Sequence, residues 1–212
     1  MLKSKICYLP KERYCNTFGN DLTMQCFQPY LDQLVWQDVY ARKVKTYKTC
    51  WMVRSGCQCV YKYGNQTIKP VTFDDIMRGL TQKIEQLMEY EPEHFNSCNL
   101  NAYLESNEYV EWHCDNEELF INTHFDRNVD IVSLSMGGTR NMLFRKKQGE
   151  EKAEIQLHDG DLCFMGGRLQ DHFLHHIPKW TEAACGPFAP RVNFTWRSIK
   201  KHTKGCSLRS SN

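Results

Sequence analysis

The sequence predicts an α+β chain in which helices come first and a double-sheet roll of short strands follows, and three observations carry that prediction. One clear helical stripe stands in the N-terminal half, eight short apolar or alternating runs come after it, and turn signals separate those runs. The stripe begins near Thr72, with Asp74 and Asp75 in the first turn. Ile76, Leu80, Ile84, Leu87 and Met88 then recur at steps of three and four until Pro92, which predicts one core-facing side. A shorter helix is expected over residues 28–38, where Leu31, Leu34, Val35 and Trp36 are spaced for one face.

The strand runs are 96–104, 109–113, 129–136, 141–147, 153–157, 161–165, 173–177 and 192–199. Gly137-Gly138, Gly149, Asp159-Gly160 and Gly166-Gly167 fall between them as turns. After them, Lys200-Lys201-His202-Thr203-Lys204 opens a basic tail poor in apolar residues, for which fraying is expected.

Composition narrows the function classes. A chain of 212 residues suits one substantial core, and a net charge of +2 leaves little whole-molecule attraction for a polyanion, which argues against duplex coating. Eleven cysteines, an odd number, are scattered without finger spacing, and no long apolar leader follows Met1; a reducing intracellular compartment, nucleus or cytoplasm, is expected. Cys57-Gln58-Cys59 is tighter than a standard zinc pair and reads as a strand with two small apolar residues. No segment approaches the roughly 20 apolar residues of a membrane span.

The heptapeptide Arg191-Val192-Asn193-Phe194-Thr195-Trp196-Arg197 alternates strictly, so as a strand it sets Val192, Phe194 and Trp196 on one face and two arginines on the other. An apolar face belongs to a core. Two guanidiniums opposite it suit a pocket for a carboxylate ligand, because buried charges need partners and arginine binds carboxylates through paired bonds. The competing reading is an edge strand with a solvated polar face.

Upstream, His113-Cys114-Asp115 supplies a histidine and a carboxylate, and His172, His175 and His176 follow about 60 residues later. Two histidines and one carboxylate can hold Fe(II) on one face and leave other positions open. A His-x-Asp alone arises by chance on the order of once in two such chains, so the ordered conjunction with the later histidine and the heptapeptide carries the weight. Strand alternation puts His175 with Phe173 and Ile177, opposite His172 and His176, without choosing a face.

With these residues in view, the chain resembles the AlkB-type dioxygenases dependent on Fe(II) and 2-oxoglutarate, and among them the eukaryotic branch acting on alkylated single-stranded DNA and RNA. The resemblance runs from about Cys50 to Arg197 and includes Cys50-Trp51, Val60-Tyr61-Lys62-Tyr63, Phe95-Asn96-Ser97, Asn101-Ala102-Tyr103, Trp112 to Glu117, Ile131 to Gly137, Phe144 to Lys147 and the heptapeptide. It implies a double-stranded β-helix (jelly roll) core with supporting N-terminal helices. Residues 46–199 would form the dioxygenase domain, 1–45 an extension packed on it, and 200–212 a flexible tail.

The resemblance also assigns roles. His113, Asp115 and His175 would bind iron, His175 being chosen by its place before Ile177-Pro178 and sixteen residues ahead of Arg191. Cys114 would point away from the metal, and His176 and His172 would be a supporting hydrogen-bonder and a surface residue. For 2-oxoglutarate, Arg191 would pair with the distal carboxylate and Arg197 would lie near the chelating one, while Asn101, Tyr103 and Asn193 complete the pocket. Thr195 and Ser135 read equally well as interior hydroxyls. Tyr61 and Tyr63 occupy the positions of substrate-flap aromatics, and Glu117 that of an acidic residue contacting the base. Arg145, Lys146 and Lys147 fit either a phosphate track or a solvated strand end. Residues 118–130 depart from the shorter family form and would remodel the rim. The implied activity is oxidative demethylation of N-alkylated bases by a monomer consuming O2 and 2-oxoglutarate and releasing formaldehyde, succinate and CO2; hydroxylation of a protein or small molecule at the same centre is the alternative.

Overall fold

The computed structural model describes residues 5–9, 24–63, 66–123 and 127–208. Its strands in chain order are β1 Lys5–Leu9, β2 Gln37–Ala41, β3 Val44–Val53, β4 Tyr61–Tyr63, β5 Gln66–Ile68, β6 Pro70–Thr72, β7 Ser97–Tyr103, β8 Val110–His113, β9 Ile131–Gly137, β10 Arg140–Lys146, β11 Lys152–Leu157, β12 Leu162–Gly166, β13 Phe173–Ile177 and β14 Arg191–Arg197. Its helices are α1 Met24–Leu31, α2 Asp75–Leu87 and the single turns α3 Leu169–His172 and α4 Glu182–Cys185.

A large sheet runs in the order β1-β12-β9-β14-β7-β3-β2, with β6 paired to β3, and a smaller one runs β11-β10-β13-β8. Apart from the parallel β3–β6 pair, both are antiparallel, which gives the jelly roll expected. β14 lies between β9 and β7 and all seven of its residues are buried, so the edge-strand reading of the heptapeptide falls. The register places Arg191 opposite Tyr103, Asn193 opposite Asn101 and Thr195 opposite Asn99, which gathers polar side chains on one face. The other face of the large sheet, with Leu100, Leu134, Val192, Phe194 and Trp196, is apolar and packs under the helices.

Helix α2 starts where Asp74 accepts a hydrogen bond from the Met77 amide at 2.8 Å, so Asp74 is the cap rather than part of the first turn. Its buried side is Met77, Leu80, Thr81, Ile84 and Glu85; Ile76 is 49% exposed. The predicted stripe therefore began one residue early. Thr81 donates to the Met77 carbonyl and accepts from the Trp196 indole at 3.0 Å, which ties the helix to β14. The shorter helix expected over 28–38 also shifts. It ends at Leu31, and Gln37 already begins β2; in the irregular segment between them Leu34 and Trp36 pack against the core while Val35 is 70% exposed, so no single helical face continues.

The β2–β3 hairpin was not foreseen. β3 is buried on both faces over most of its length, so it shows no alternation to read. After β14 the Lys200 and Lys201 amides donate to the Leu119 carbonyl, and Cys206 is buried. At the other end of the roll, Gly138 is fixed by a close approach. A Cβ there would lie 2.1 Å from the Ala189 carbonyl oxygen, and the Gly138 amide donates to Pro190, fixing the entry to β14 against the β9–β10 turn.

Candidate active site

His113 closes β8 and His175 stands directly opposite it on β13, with the two rings 4.1 Å apart. Asp115 follows β8, its amide donating to Gln170 at 2.9 Å, and turns its carboxylate between the histidines. Its oxygens lie 3.7 Å from His113 Nε2 and 3.9 Å from His175 Nε2, so three donor atoms converge as the sequence order predicted. His113 Nδ1 lies 2.8 Å from the Glu111 carbonyl, and the tautomer that donates there leaves Nε2 as a lone pair for a metal.

Electrostatics suit that task. Burial, reinforced by His113, lowers the His175 pKa to about 3 and keeps the imidazole neutral. Burial alone would raise Asp115, yet Arg197 first, then His175 and His113, hold it well below the usual carboxylate range. The neutral His175 imidazole, the ionised Asp115 carboxylate and the facing His113 ring match the donor set of a 2-His-1-carboxylate iron site. His176 instead stacks on Trp112 at 4.9 Å, while His172 ends α3 and is not on the strand, so the alternation argument never applied to it.

Asn99, Asn101, Tyr103, Asn193, Thr195 and Arg197 on the polar face of the large sheet also line the cavity, and Arg191 shares that strand face. Arg191, fully buried, donates from Nε to Ser135 at 2.8 Å and from Nη2 to Asn193 at 2.7 Å, and its guanidinium lies 5.3 Å from the Tyr103 ring. Asn193 Oδ1 also accepts from Ser133, and Asn101 Oδ1 accepts from Thr49 and Asn99. Arg197 donates to Asp115 and rests over Phe120. Nη1 of both Arg191 and Arg197 is buried without a hydrogen-bond acceptor among the described residues. A dianionic co-substrate would satisfy them, and orphaned buried donors of this kind are otherwise costly. The residues therefore fit both Fe(II) and 2-oxoglutarate. Desolvation pushes Arg191 down to about 10, still cationic at neutral pH.

Sequence reasoning missed Thr49, Asn99 and Ser133, which orient the asparagines, and Arg140. Arg140 is buried, donates to the Glu108 and Pro178 carbonyls and approaches the Tyr103 ring to 5.3 Å. Strand alternation from Asn101 would have found Asn99. Nothing local marked Arg140.

At the rim, Tyr61 is not a free flap aromatic. It is 4% exposed, stacks on Trp51 at 5.0 Å and donates to Glu117 Oε1 at 2.8 Å, yet its ring still reaches the cavity wall beside Asp115 and Arg197. Packing on Trp51 buries it, which spacing alone could not indicate. The Tyr63 side chain lies outside the described residues. Burial foremost, then the Asp115 charge, push Glu117 up to about 7, and its Oε2 has no hydrogen-bond partner among the described residues. The basic run is engaged locally: Arg145 sits 4.4 Å over Trp112, Lys146 pairs with Glu151, and Lys147 donates to the Gln170 carbonyl. In the 118–130 segment Phe120, Ile121 and Val129 are buried and Arg127 pairs with Asp171; residues 124–126 lie outside the described set.

Comparison with known proteins agrees with this geometry. The family model described as the 2OG-Fe(II) oxygenase superfamily matches residues 24–197. Human alpha-ketoglutarate-dependent dioxygenase alkB homolog 3 is 32% identical over 155 residues, 68% of this chain and 50% of that protein. The DNA oxidative demethylase ALKBH2 of Arabidopsis thaliana is 26% identical over 176 residues, 71% of this chain and 52% of that protein. The chain thus spans about half the length of these curated relatives. The solved structure of OsALKBH1 superposes with a TM-score of 0.62 at 15% identity, covering 93% of this chain and 100% of that one, a likeness of fold.

Proposed function

Because the chain belongs to the 2OG-Fe(II) oxygenase superfamily, we propose that it catalyses Fe(II)- and 2-oxoglutarate-dependent oxidative demethylation of N-alkylated bases in nucleic acid, single strands preferred, with release of formaldehyde, succinate and CO2. The observation that carries this reading is one cavity lined by the convergent trio His113, Asp115 and His175, the polar strand face ending at Arg197, and the Tyr61 ring, beside which Tyr61 bonds Glu117. The AlkB-named relatives support the substrate class.

Fe(II) bound by the trio would supply activation of O2, with 2-oxoglutarate as the sacrificial reductant. The chain's own residues do the remaining work. Arg191 neutralises the distal carboxylate of 2-oxoglutarate, and Asn101, Tyr103 and Asn193 complete its pocket. Arg197 keeps Asp115 ionised and would interact with the chelating carboxylate. Glu117 accepts from Tyr61 through one oxygen and leaves the other for the substrate, which favours a cationic base such as one methylated on a ring nitrogen. Single strands are preferred because unpairing a duplex base costs a few kcal/mol, and the small net charge offers little compensating attraction. No helix among the described residues is long and apolar enough to cross a membrane.

Mass spectrometry of methylated single-stranded DNA and RNA oligonucleotides incubated with Fe(II), ascorbate and 2-oxoglutarate tests the proposal. Loss of 14 Da per lesion, roughly one methylene, with stoichiometric succinate supports it. Turnover of a peptide or metabolite with every oligonucleotide untouched would overturn it.

A further inference from the structure

A second convergence of ligating side chains lies away from the cavity. Cys57 and Cys59, in the connection between β3 and β4, are both buried. The chain leaving β14 folds back over Leu119 and brings His202 and Cys206 onto them, in a turn closed by a 3.0 Å bond from the Cys206 amide to the Thr203 carbonyl. His202 Nδ1 lies 3.6 Å from Cys57 Sγ, 3.5 Å from Cys59 Sγ and 3.3 Å from Cys206 Sγ, and the sulfurs of Cys206 and Cys57 are 3.9 Å apart. Backbone amides point at two of these sulfurs: Gln58 N at 3.4 Å from Cys206 Sγ and Thr203 N at 3.3 Å from Cys59 Sγ.

Thiol chemistry alone does not account for this packing. Nδ1 of a neutral imidazole has one lone pair or one hydrogen, so it satisfies one sulfur of the three. A disulfide would engage two sulfurs and leave the third, with the imidazole, unexplained. A tetrahedral Zn(II) with Zn–S about 2.3 Å and Zn–N about 2.0–2.1 Å places its ligands about 3.5–3.6 Å (S to N) and about 3.8 Å (S to S) apart. The observed S-to-N separations of 3.3, 3.5 and 3.6 Å span the first value, and the S-to-S separation of 3.9 Å lies close to the second. All four ligand atoms lie within 4.8 Å of one another, which suits one ion, whereas an iron–sulfur cluster spreads its thiolates across several irons and bridging sulfides. Amide donors aimed at sulfur suit thiolates that carry charge.

We propose that Cys57, Cys59, His202 Nδ1 and Cys206 bind one structural Zn(II), with the three thiol protons released to solvent on binding. The four protein ligands close the site, so it holds no position for substrate. Its consequence lies at the rim. A groove of about 350 Å³ runs beside the site and is lined by Tyr61, Lys62, Glu117, His202 and Thr203 among others. The ion therefore ties the segment after β14 to the base of the β4–β5 hairpin and builds one wall of the groove next to Tyr61 and Glu117.

The test measures zinc per chain in protein purified under reducing conditions, in the wild type, in a His113→Ala/Asp115→Ala variant and in a Cys57→Ser/Cys206→Ser variant. About one zinc in the first two and near none in the third is expected. Cobalt loaded into the wild type should give thiolate charge-transfer absorption and the intense visible bands of a tetrahedral ion; this readout needs no variant to fold. Chelation should open new proteolytic cleavage within residues 54–63 and 200–208. Zinc lost from the iron-site variant but kept by the cysteine variant would overturn the proposal, as would three thiols that react freely in native protein without releasing metal.

Discussion

Arg197 donates to one oxygen of Asp115, Oδ2, from both Nε and Nη2, so a single guanidinium links β14 in the large sheet to the carboxylate set between two histidines of the small sheet. Both residues are buried, and the link therefore bears on stability as well as on metal binding. Asp115→Asn should leave Arg197 without its counter-charge and lower the unfolding free energy of iron-free protein by about 3–5 kcal/mol. His113, whose side chain is 22% exposed, should cost under about 1 kcal/mol on truncation to alanine while equally abolishing succinate release. Urea unfolding of metal-free protein compares the two, and equal stabilities would show that the pair is not structural.

The choice of His175 over its neighbour is open to a direct comparison. His175→Ala should lose Fe(II) binding and succinate release, because two ligands no longer define a face. His176→Ala removes a stack on Trp112 and a hydrogen bond to the Val110 carbonyl but no metal ligand, and should keep its iron. Iron content by titration checks both, and the reverse pattern would reassign the ligand.

Arg191→Lys keeps a charge but loses the two donors that hold Ser135 and Asn193, along with the planar contact to a carboxylate. The 2-oxoglutarate concentration for half-maximal succinate release should rise by about 1–3 kcal/mol, roughly fivefold to 150-fold. Unchanged co-substrate affinity would make this polar face purely structural.

Glu85 offers a pH signature far from the chemistry. Burial raises its pKa, although the Phe95 and Glu93 amides donate to its oxygens and pull the other way. A carboxyl raised above its ordinary 4.5 binds protons more tightly when folded, so its contribution is fully present below that value and is lost as pH rises through the folded pKa. The stability of wild type relative to Glu85→Gln should therefore fall as pH rises from about 4 toward neutrality. A difference that grows over that range would contradict the assignment.

How much of this was legible in the sequence depends on where each signal lay. His113, Arg191 and Arg197 sit in strands β8 and β14, whose period-two spacing shows which residues share a face, whereas Asp115 lies past the end of β8 and was readable only through the His-x-Asp motif and the family resemblance. Tyr47 and Thr49 were not readable, since β3 is buried on both sides and alternation vanishes. Ile76 and Met77 are adjacent apolar residues, and either one starts an acceptable helical stripe. The cluster of Cys57 and Cys59 with His202 and Cys206 joins residues more than 140 positions apart, so neither half carried a recognisable spacing.

Tyr61 shows how that limit reshapes an experiment. A free flap aromatic could be cut to alanine to measure stacking on a base. Tyr61 instead packs on Trp51 and Phe120, and its alanine variant should lose about 3–5 kcal/mol of stability, which would obscure any effect on binding. Tyr61→Phe keeps the stack and removes only the hydroxyl that donates to Glu117. Glu117 then has both oxygens without that donor in a buried setting, which raises its pKa further and leaves less carboxylate at neutral pH. Turnover of a cationic methylated base should therefore fall more than turnover of a neutral one, with a net loss of about 1–2 kcal/mol on kcat/KM. Competition between the two lesions in one single-stranded oligonucleotide, read by mass spectrometry, reports that ratio directly; equal losses on both would remove Glu117 from base recognition.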